Sequence, residues 1–313
     1  PSARYFDFFP VDASIPNASR YGTVPVWGLA TVLVSRHEGI AVGERLYGYF
    51  PLASHVVVVP SKKVADSFFY VDRPQLPADR KVYNQVFRSR HDPFHSPAHE
   101  SHMLLLRPLF FTSYLLADKL LDEKIYNAKT VLITSASSKT SLCLAFLLKR
   151  AGVPTIGITS PSSLAWLAKT GAYPELLPYD ALKSPAPAPA KMGNVVLADV
   201  AGNEAVVADV ERWVGSRFVK GLSVGMSHWE SRRDHMAEKM EVFFAPSQTV
   251  KKQSEIGTAA LARAMGKAFA DTLESADAWV ELERVEGADA TLRVWRDLVK
   301  GKADPRKGFI LSL

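Results

Sequence analysis

Cysteine is almost missing from this chain. Cys143 is the only one in 313 residues, which excludes an intramolecular disulfide and any zinc site built on clustered cysteines. It lies in an apolar helical stretch, reads as packing, and fits a cytoplasmic location. No apolar run is long and unbroken enough to span a bilayer, so no membrane partner is expected. No signal peptide is visible. The chain starts at Pro1 without a methionine, which predicts a missing N-terminal piece. The net charge is +6 and the isoelectric point about 9.3, yet lysines and arginines are scattered with no long basic run. Nucleic acid is therefore not the expected partner, and a phosphorylated cofactor explains the charge as well. No internal repeat is evident. What remains is ordinary globular composition, 47% hydrophobic and 22% charged, and enough chain for two domains or one large α/β domain.

The informative stretch is 129–171. Thr130–Thr134 is a short, β-branched apolar run and reads as a buried parallel strand. A serine-rich turn follows, Ser135–Ser141. Leu142–Arg150 has helix formers and ends at Gly152, a C-cap residue. Pro154 opens a second buried run, Thr155–Thr159, and Ser160-Pro161 reads as an N-cap followed by a first-turn proline. Strand, turn, helix and strand make a βαβ unit, which winds right-handed and binds ligands beyond the strands' carboxyl ends.

Around it, Val24–Pro60 alternates β-rich runs, including ASHVVVVP, with breaks at Gly39, Gly43 and Gly48, the pattern of a small β-barrel. Val71–Asp92 reads as irregular. Leu104–Leu121 is apolar at helical spacing, with Pro108 expected to kink or divide it. Glu175–Tyr179, Asn194–Val200, Phe218–Val224 and Glu241–Phe244 read as further strands. Asn203 reads as a helix N-cap, Lys183–Gly193 as a polyproline-like loop, and Gly257–Ser275 and Ala288–Val299 as helices. Trp279–Val285 and Gly308–Leu313 read as strands.

Several segments together resemble the medium-chain dehydrogenase/reductase superfamily. VPVWGLATVLVSRHEGIAVGERLYG is similar to its P-x-x-x-G-x-E-x-x-G-x-V and V-G-D-R-V-x-G segments, with Gly28, Gly43, Glu44, Arg45 and Gly48 in place. ITSASSKTSLCLAFLLKRAG lies without gaps on V-T-G-A-x-G-G-V-G-x-x-x-x-x-x-A-x-x-x-G. NVVLADVAG, carrying Asp199, resembles the strand ending V-D-x-x-G, and VWRDLVKGKADPRKGFILSL resembles the superfamily tail. The nearest branch is the zinc-free quinone oxidoreductases and enoyl reductases, and more narrowly an uncharacterised family, a domain of unknown function, related to it. The resemblance implies an α/β fold: a GroES-like β-barrel domain (1–102, its beginning missing), a Rossmann doubly wound parallel sheet (103–250) and a C-terminal segment (251–313) returning to the first domain. It implies NADP(H) as cofactor, no metal, a small enone, quinone or carbonyl substrate, and allows a homodimer through the sixth strand.

The departure lies in the phosphate loop. Its glycines are replaced by Ser138, Lys139 and Ser141. Glycine lets backbone approach pyrophosphate closely. Here Ser135, Ser137, Ser138, Thr140 and Ser141 offer hydroxyls and Lys139 a charge, so the turn reads either as a phosphate site rebuilt from side chains or as a lost site whose polar turn is solvated. After the second strand, Thr159, Ser160, Ser162 and Ser163 include no acid for a ribose 2′-hydroxyl. They resemble the T-x-S-S segment of NADPH-dependent quinone reductases; plain helix capping is the other reading. Tyr179, Gly202, Gly225 and Ser227 follow further strands, where adenosine and nicotinamide contacts are expected.

A carbonyl reduction also needs a donor that polarises or protonates the substrate oxygen. Tyr5, Tyr49, Arg107, Thr112 and His228 are the candidates for that role or for orienting substrate. Aromatic packing is the competing reading for Tyr5, and a structural ion pair for Arg107. His91, His95, His99 and His102 have loose metal spacing, but Pro93 and Pro97 oppose a helix there. Gly221-Leu222-Ser223-Val224-Gly225 matches a nucleophile elbow, yet only His228 and His235 follow and no later acid–histidine pair does. A carbon–carbon lyase or hydrolase acting on a ketone or β-dicarbonyl is the alternative on the same scaffold.

Overall fold

The computed structural model describes residues 5–76, 83–185, 188–224 and 239–313. Contacts divide the chain into two units: unit 1, Pro1–Leu105, Leu282–Ala303 and Gly308–Leu313; unit 2, Leu106–Glu281 and Asp304–Lys307. The return to unit 1 thus begins at Leu282, later than the expected 251.

Unit 1 holds a five-stranded antiparallel sheet, ordered β1 (Pro25–Thr31), β2 (Arg45–Pro51), β5 (Gln85–Arg88), β4 (Phe68–Val71) and β3 (Pro60–Val64). Ile40, Leu46, Phe50, Phe69, Val71 and Val86 form one core against this sheet. Arg88 closes the loop before β2 by pairing with Glu44 and donating to the Gly39 carbonyl at 3.0 Å. The valines of ASHVVVVP lie outside the described strands: Val59 accepts the Asp72 amide at 3.1 Å, Val56 and Val58 reach the core, but Val57 is 91% exposed. The stretch expected to be irregular supplies β5, a strand too short to show a period.

Unit 2 is built on a six-stranded parallel sheet, in the order β11 (Met240–Val242), β10 (Phe218–Ser223), β9 (Val195–Asp199), β6 (Thr130–Ile133), β7 (Thr155–Thr159), β8 (Glu175–Pro178). The chain winds outward from β6 to β8 and then from β9 to β11, so the order reverses between β6 and β9. Strands β6, β7 and β9 are buried along their whole length, which is why they read as continuous apolar runs. Leu132, Ile158, Leu197, Val210, Trp213 and Phe218 are among the residues of its core, each side chain of this kind contributing about 2 kcal/mol.

Helix α1 (Glu100–Asp122) runs on through Pro108 without dividing. The βα helices are α2 (Lys139–Arg150), α3 (Pro161–Thr170) and α4 (Glu204–Val214), the last capped by Asn203, whose side chain accepts the Ala205 and Val206 amides at 3.0 and 3.4 Å. Helix α5 (Ala245–Ile256), polar on the sequence and not anticipated, precedes α6 (Thr258–Leu273). Helix α7 (Ala288–Val299) lies in unit 1, and β12 (Glu281–Glu286) pairs with β13 (Lys307–Ser312). Before β6, Lys124, Ile125, Tyr126 and Asn127 all have φ between 48° and 58°, a left-handed turn with no glycine in it.

Candidate functional site

In unit 2 the expected cofactor residues gather at the carboxyl ends of adjacent strands. The turn after β6 is held by its own hydrogen bonds. Ser135 stands at φ 49°, in the left-handed region that favours glycine. Ser138 caps α2: its Oγ accepts the Ser141 amide at 3.2 Å and donates to Ser141 Oγ, which in turn donates to the Thr134 carbonyl at 3.0 Å. The Ala136 amide donates to the Ile158 carbonyl, and Tyr173 Oη to the Ala136 carbonyl, both at 3.0 Å. Beneath the turn, β7 needs Gly157: a Cβ there would lie 2.9 Å from the Ala136 side chain. Ser113 of α1 donates to the Thr140 carbonyl at 2.7 Å.

After this internal pairing, the amides of Ser137, Lys139 and Thr140 have no acceptor among the described residues. They lie at the N-terminus of α2, where the helix dipole favours an anion. Lys139 is engaged elsewhere: its ammonium donates to the Pro305 and Lys307 carbonyls at 2.9 and 2.7 Å. Burial lowers its pKa, opposed by Asp304. The sequence leaves this ammonium to a phosphate or to solvent; in the structure the tail's carbonyls hold it. Tyr179 likewise differs from expectation. Its hydroxyl accepts the Ser135 amide at 3.0 Å, and burial raises its pKa.

At the end of β7, Thr159 is buried and Ser160 Oγ lies 3.1 Å from Ser162 Oγ and 3.2 Å from Ser163 Oγ. Ser160 is the N-cap residue of α3 but makes no side-chain capping bond, so its hydroxyl belongs to this group of three. Where the sheet order reverses, Thr134 Oγ1 donates to Asp199 Oδ1 at 2.8 Å and accepts the Val200 and Ala201 amides; Asp199 also accepts the Gly202 amide at 3.2 Å. Sequence reasoning missed Thr134, whose only signal was a hydroxyl directly before the turn. Gly225, Ser227 and His228 lie outside the described residues.

In unit 1, Tyr5 and Tyr49 belong to one aromatic group. Tyr5 Oη is 3.1 Å from Tyr83 Oη, and its ring meets that of Tyr49 edge-on at 6.2 Å. Tyr49 also packs on Phe8 and Trp27 at 5.2 and 5.0 Å. Burial, and then the neighbouring Tyr5, raise the Tyr49 pKa, which keeps it a neutral phenol. Arg107 is buried over the Phe111 ring at 5.5 Å, and Thr112 Oγ1 donates to the Pro108 carbonyl within its own helix. Burial pushes Cys143 up to about 12, so it is no ready thiolate. His95 binds Glu100 and His99 binds Ser96, and no group of three His, Cys, Asp or Glu residues placed to hold one metal ion occurs among the described residues. Among them no helix is long and apolar enough to cross a membrane.

The architecture is a GroES-like β unit and a Rossmann unit, the fold expected from the sequence. Similar solved structures include a candidate NADPH:quinone reductase from Mesorhizobium loti, with a TM-score of 0.54, 13% identity, and 93% and 77% of the two chains covered. E. coli K-12 YhdH, solved with bound NADPH, has a TM-score of 0.52 at 13% identity over 95% and 84%. Bacillus subtilis YhfP, solved with NAD, has a TM-score of 0.51 at 11% identity over 94% and 82%. No curated protein matches the chain. The chain belongs to the family described as "Protein of unknown function (DUF2855)", whose model matches residues 1–304.

Proposed function

We propose that this chain is an NADP(H)-dependent, zinc-independent oxidoreductase that reduces an enone, quinone or carbonyl compound. The observation that carries the reading is the set of open amides at Ser137, Lys139 and Thr140, at the N-terminus of α2 and beside the point where the sheet order reverses. A pyrophosphate fits such donors. The left-handed Ser135 keeps the turn in its glycine-like course although the glycines are gone. The hydroxyls of Ser160, Ser162 and Ser163, with no acid among them, suit a 2′-phosphate better than a bare ribose. Lys139 is left out of the phosphate contacts. The reduced nicotinamide, when bound, supplies the hydride; Tyr49 and Tyr5 are the proposed proton donors. The structural neighbours solved with NADPH and NAD support dinucleotide binding in general. The subunit arrangement proposed is a homodimer through β11, and the location proposed is the cytoplasm.

The second reading, a lyase or hydrolase acting on a ketone or β-dicarbonyl, draws on one contact. The Tyr179 hydroxyl already takes the Ser135 amide, a donor that a dinucleotide site would otherwise offer. Titration of the full chain with NADPH and NADH separates the two. Micromolar NADPH binding, weaker NADH binding, and loss of that preference in Ser162→Ala/Ser163→Ala are expected. If neither nucleotide binds below the millimolar range, the redox reading falls.

A further inference from the structure

Arg73 sits just after β4, in the run Asp72-Arg73-Pro74, and is only 8% exposed. Its Nη1 donates to the Tyr83 carbonyl at 3.0 Å and to Asn84 Oδ1 at 2.8 Å; its Nη2 donates to the Tyr49 carbonyl at 3.0 Å. All three acceptors are neutral. Among the described residues the guanidinium makes no ion pair. The rings of Phe9 and Phe8, 4.8 and 5.8 Å from its Cζ, attract the cation but accept no conventional hydrogen bond. A guanidinium has five N–H groups. Nε–H and one Nη2–H, on the two nitrogens that a carboxylate can meet side-on, therefore have no described acceptor.

Burying a cation among neutral partners is expensive, and the missing countercharge must outweigh that cost when it arrives. A cleft of about 480 Å³ opens at this residue, lined by Tyr70, Val71, Asp72, Arg73, Pro74 and Asn84. That volume suits a small organic molecule. Tyr70, Val71 and Pro74 offer apolar wall. Asp72 is exposed and lines the same cleft, so its negative charge disfavours a dianion more than a monoanion.

We propose that this cleft binds an organic monocarboxylate with a flat apolar tail, received by the Nε and Nη2 donors of Arg73. The site lies wholly within unit 1 and does not depend on the nucleotide reading. Cinnamate and its uncharged amide, cinnamamide, differ in the carboxylate alone and serve as probes, followed by calorimetry on the full chain without nucleotide. The wild-type protein binds cinnamate about tenfold more tightly than cinnamamide, the size of one charge-assisted contact. Arg73→Gln loses that difference. Asp72→Asn, an exposed position, tightens cinnamate about threefold and leaves cinnamamide unchanged, an effect that a merely structural Arg73 would not produce. Inorganic phosphate fails to displace cinnamate at equal concentration. Equal affinity of the two probes, no saturable cinnamate binding at millimolar concentration, displacement by phosphate, or an Asp72→Asn variant that binds cinnamate no better each overturns the proposal. Should Arg73→Gln not fold, the wild-type pair and Asp72→Asn decide. A failure here leaves the NADPH titration untouched, and the reverse holds too.

Discussion

Replacing Lys139 with methionine keeps the stem of the side chain and removes its ammonium. That ammonium makes two charge-assisted hydrogen bonds, to Pro305 at 2.9 Å and Lys307 at 2.7 Å. Each such bond is worth about 1.5–3 kcal/mol when its partners are well buried. Two facts lower the sum. Burial already disfavours the charged form, as the lowered pKa records, and Pro305 is exposed, so its carbonyl can be rehydrated. A net loss of about 2 kcal/mol is expected, read as a shift in the midpoint of chemical denaturation at unchanged slope. Nucleotide affinity should barely move, by less than about threefold, because the charge serves the tail; losing a phosphate contact would instead cost about tenfold or more. The refuting result is the inverse pattern: unchanged denaturation with NADPH binding weakened at least tenfold. That would place the ammonium on a phosphate after all.

Three further outcomes are expected. Glu100 accepts Arg45 Nη2 at 2.7 Å and pairs with His95; Arg45 first, then His95, holds its carboxyl at about 2. Because the folded pKa lies below the unfolded one, this stabilisation is present above pH 4.5 and drains away as pH falls towards 2. The side chains are 27% and 44% exposed, so solvent reduces it to about 1 kcal/mol, and Glu100→Gln should lose that much at pH 7 and show a flatter acid limb in urea titrations. Thr134→Val strips a buried carboxylate of one donor and two amides of their acceptor, and should cost about 2–3 kcal/mol in the same assay. A loss under about 0.5 kcal/mol would show that the link between β6 and β9 is dispensable. Lys124→Gly relieves one left-handed residue and should raise stability by about 0.5 kcal/mol after the added freedom of the unfolded chain, whereas Lys124→Ala should not.

Unit 2 was readable because its strands are buried on both faces. Thr130–Ile133, Thr155–Thr159 and Val195–Asp199 therefore appear as unbroken apolar runs, and Gly152 and Gly202 mark where elements stop. Unit 1 was harder. Phe68–Val71 and Gln85–Arg88 are four residues each, and Val56–Val59 has strand composition but lies just outside the described strand β3. Helix α5 carries too few apolar residues to show a period, and in the turn at 124–127 only Asn127 is of a kind that announces a left-handed backbone, while Lys124, Ile125 and Tyr126 give no sign of it. At the site, the serines and their clustering were legible because they replace a known pattern position by position. The partners of Lys139 and Tyr179 were not, since the tail and Ser135 stand 166 and 44 residues away, and no local rule links them. Arg73 had no motif at all; that its described hydrogen-bond acceptors are all neutral shows only in three dimensions.

The interleaving of the two units sets the order in which a ribosome can deliver them. All six parallel strands lie within residues 130–242, so that sheet can assemble as soon as Val242 has cleared the ribosome. The five-stranded sheet of the other unit is complete earlier still, at Arg88, but that unit also takes in Leu282–Ala303 and Gly308–Leu313, which are made after the parallel sheet. A nascent chain stalled before Leu282 would carry both large sheets and lack helix α7 and nearly all of the β12–β13 pair.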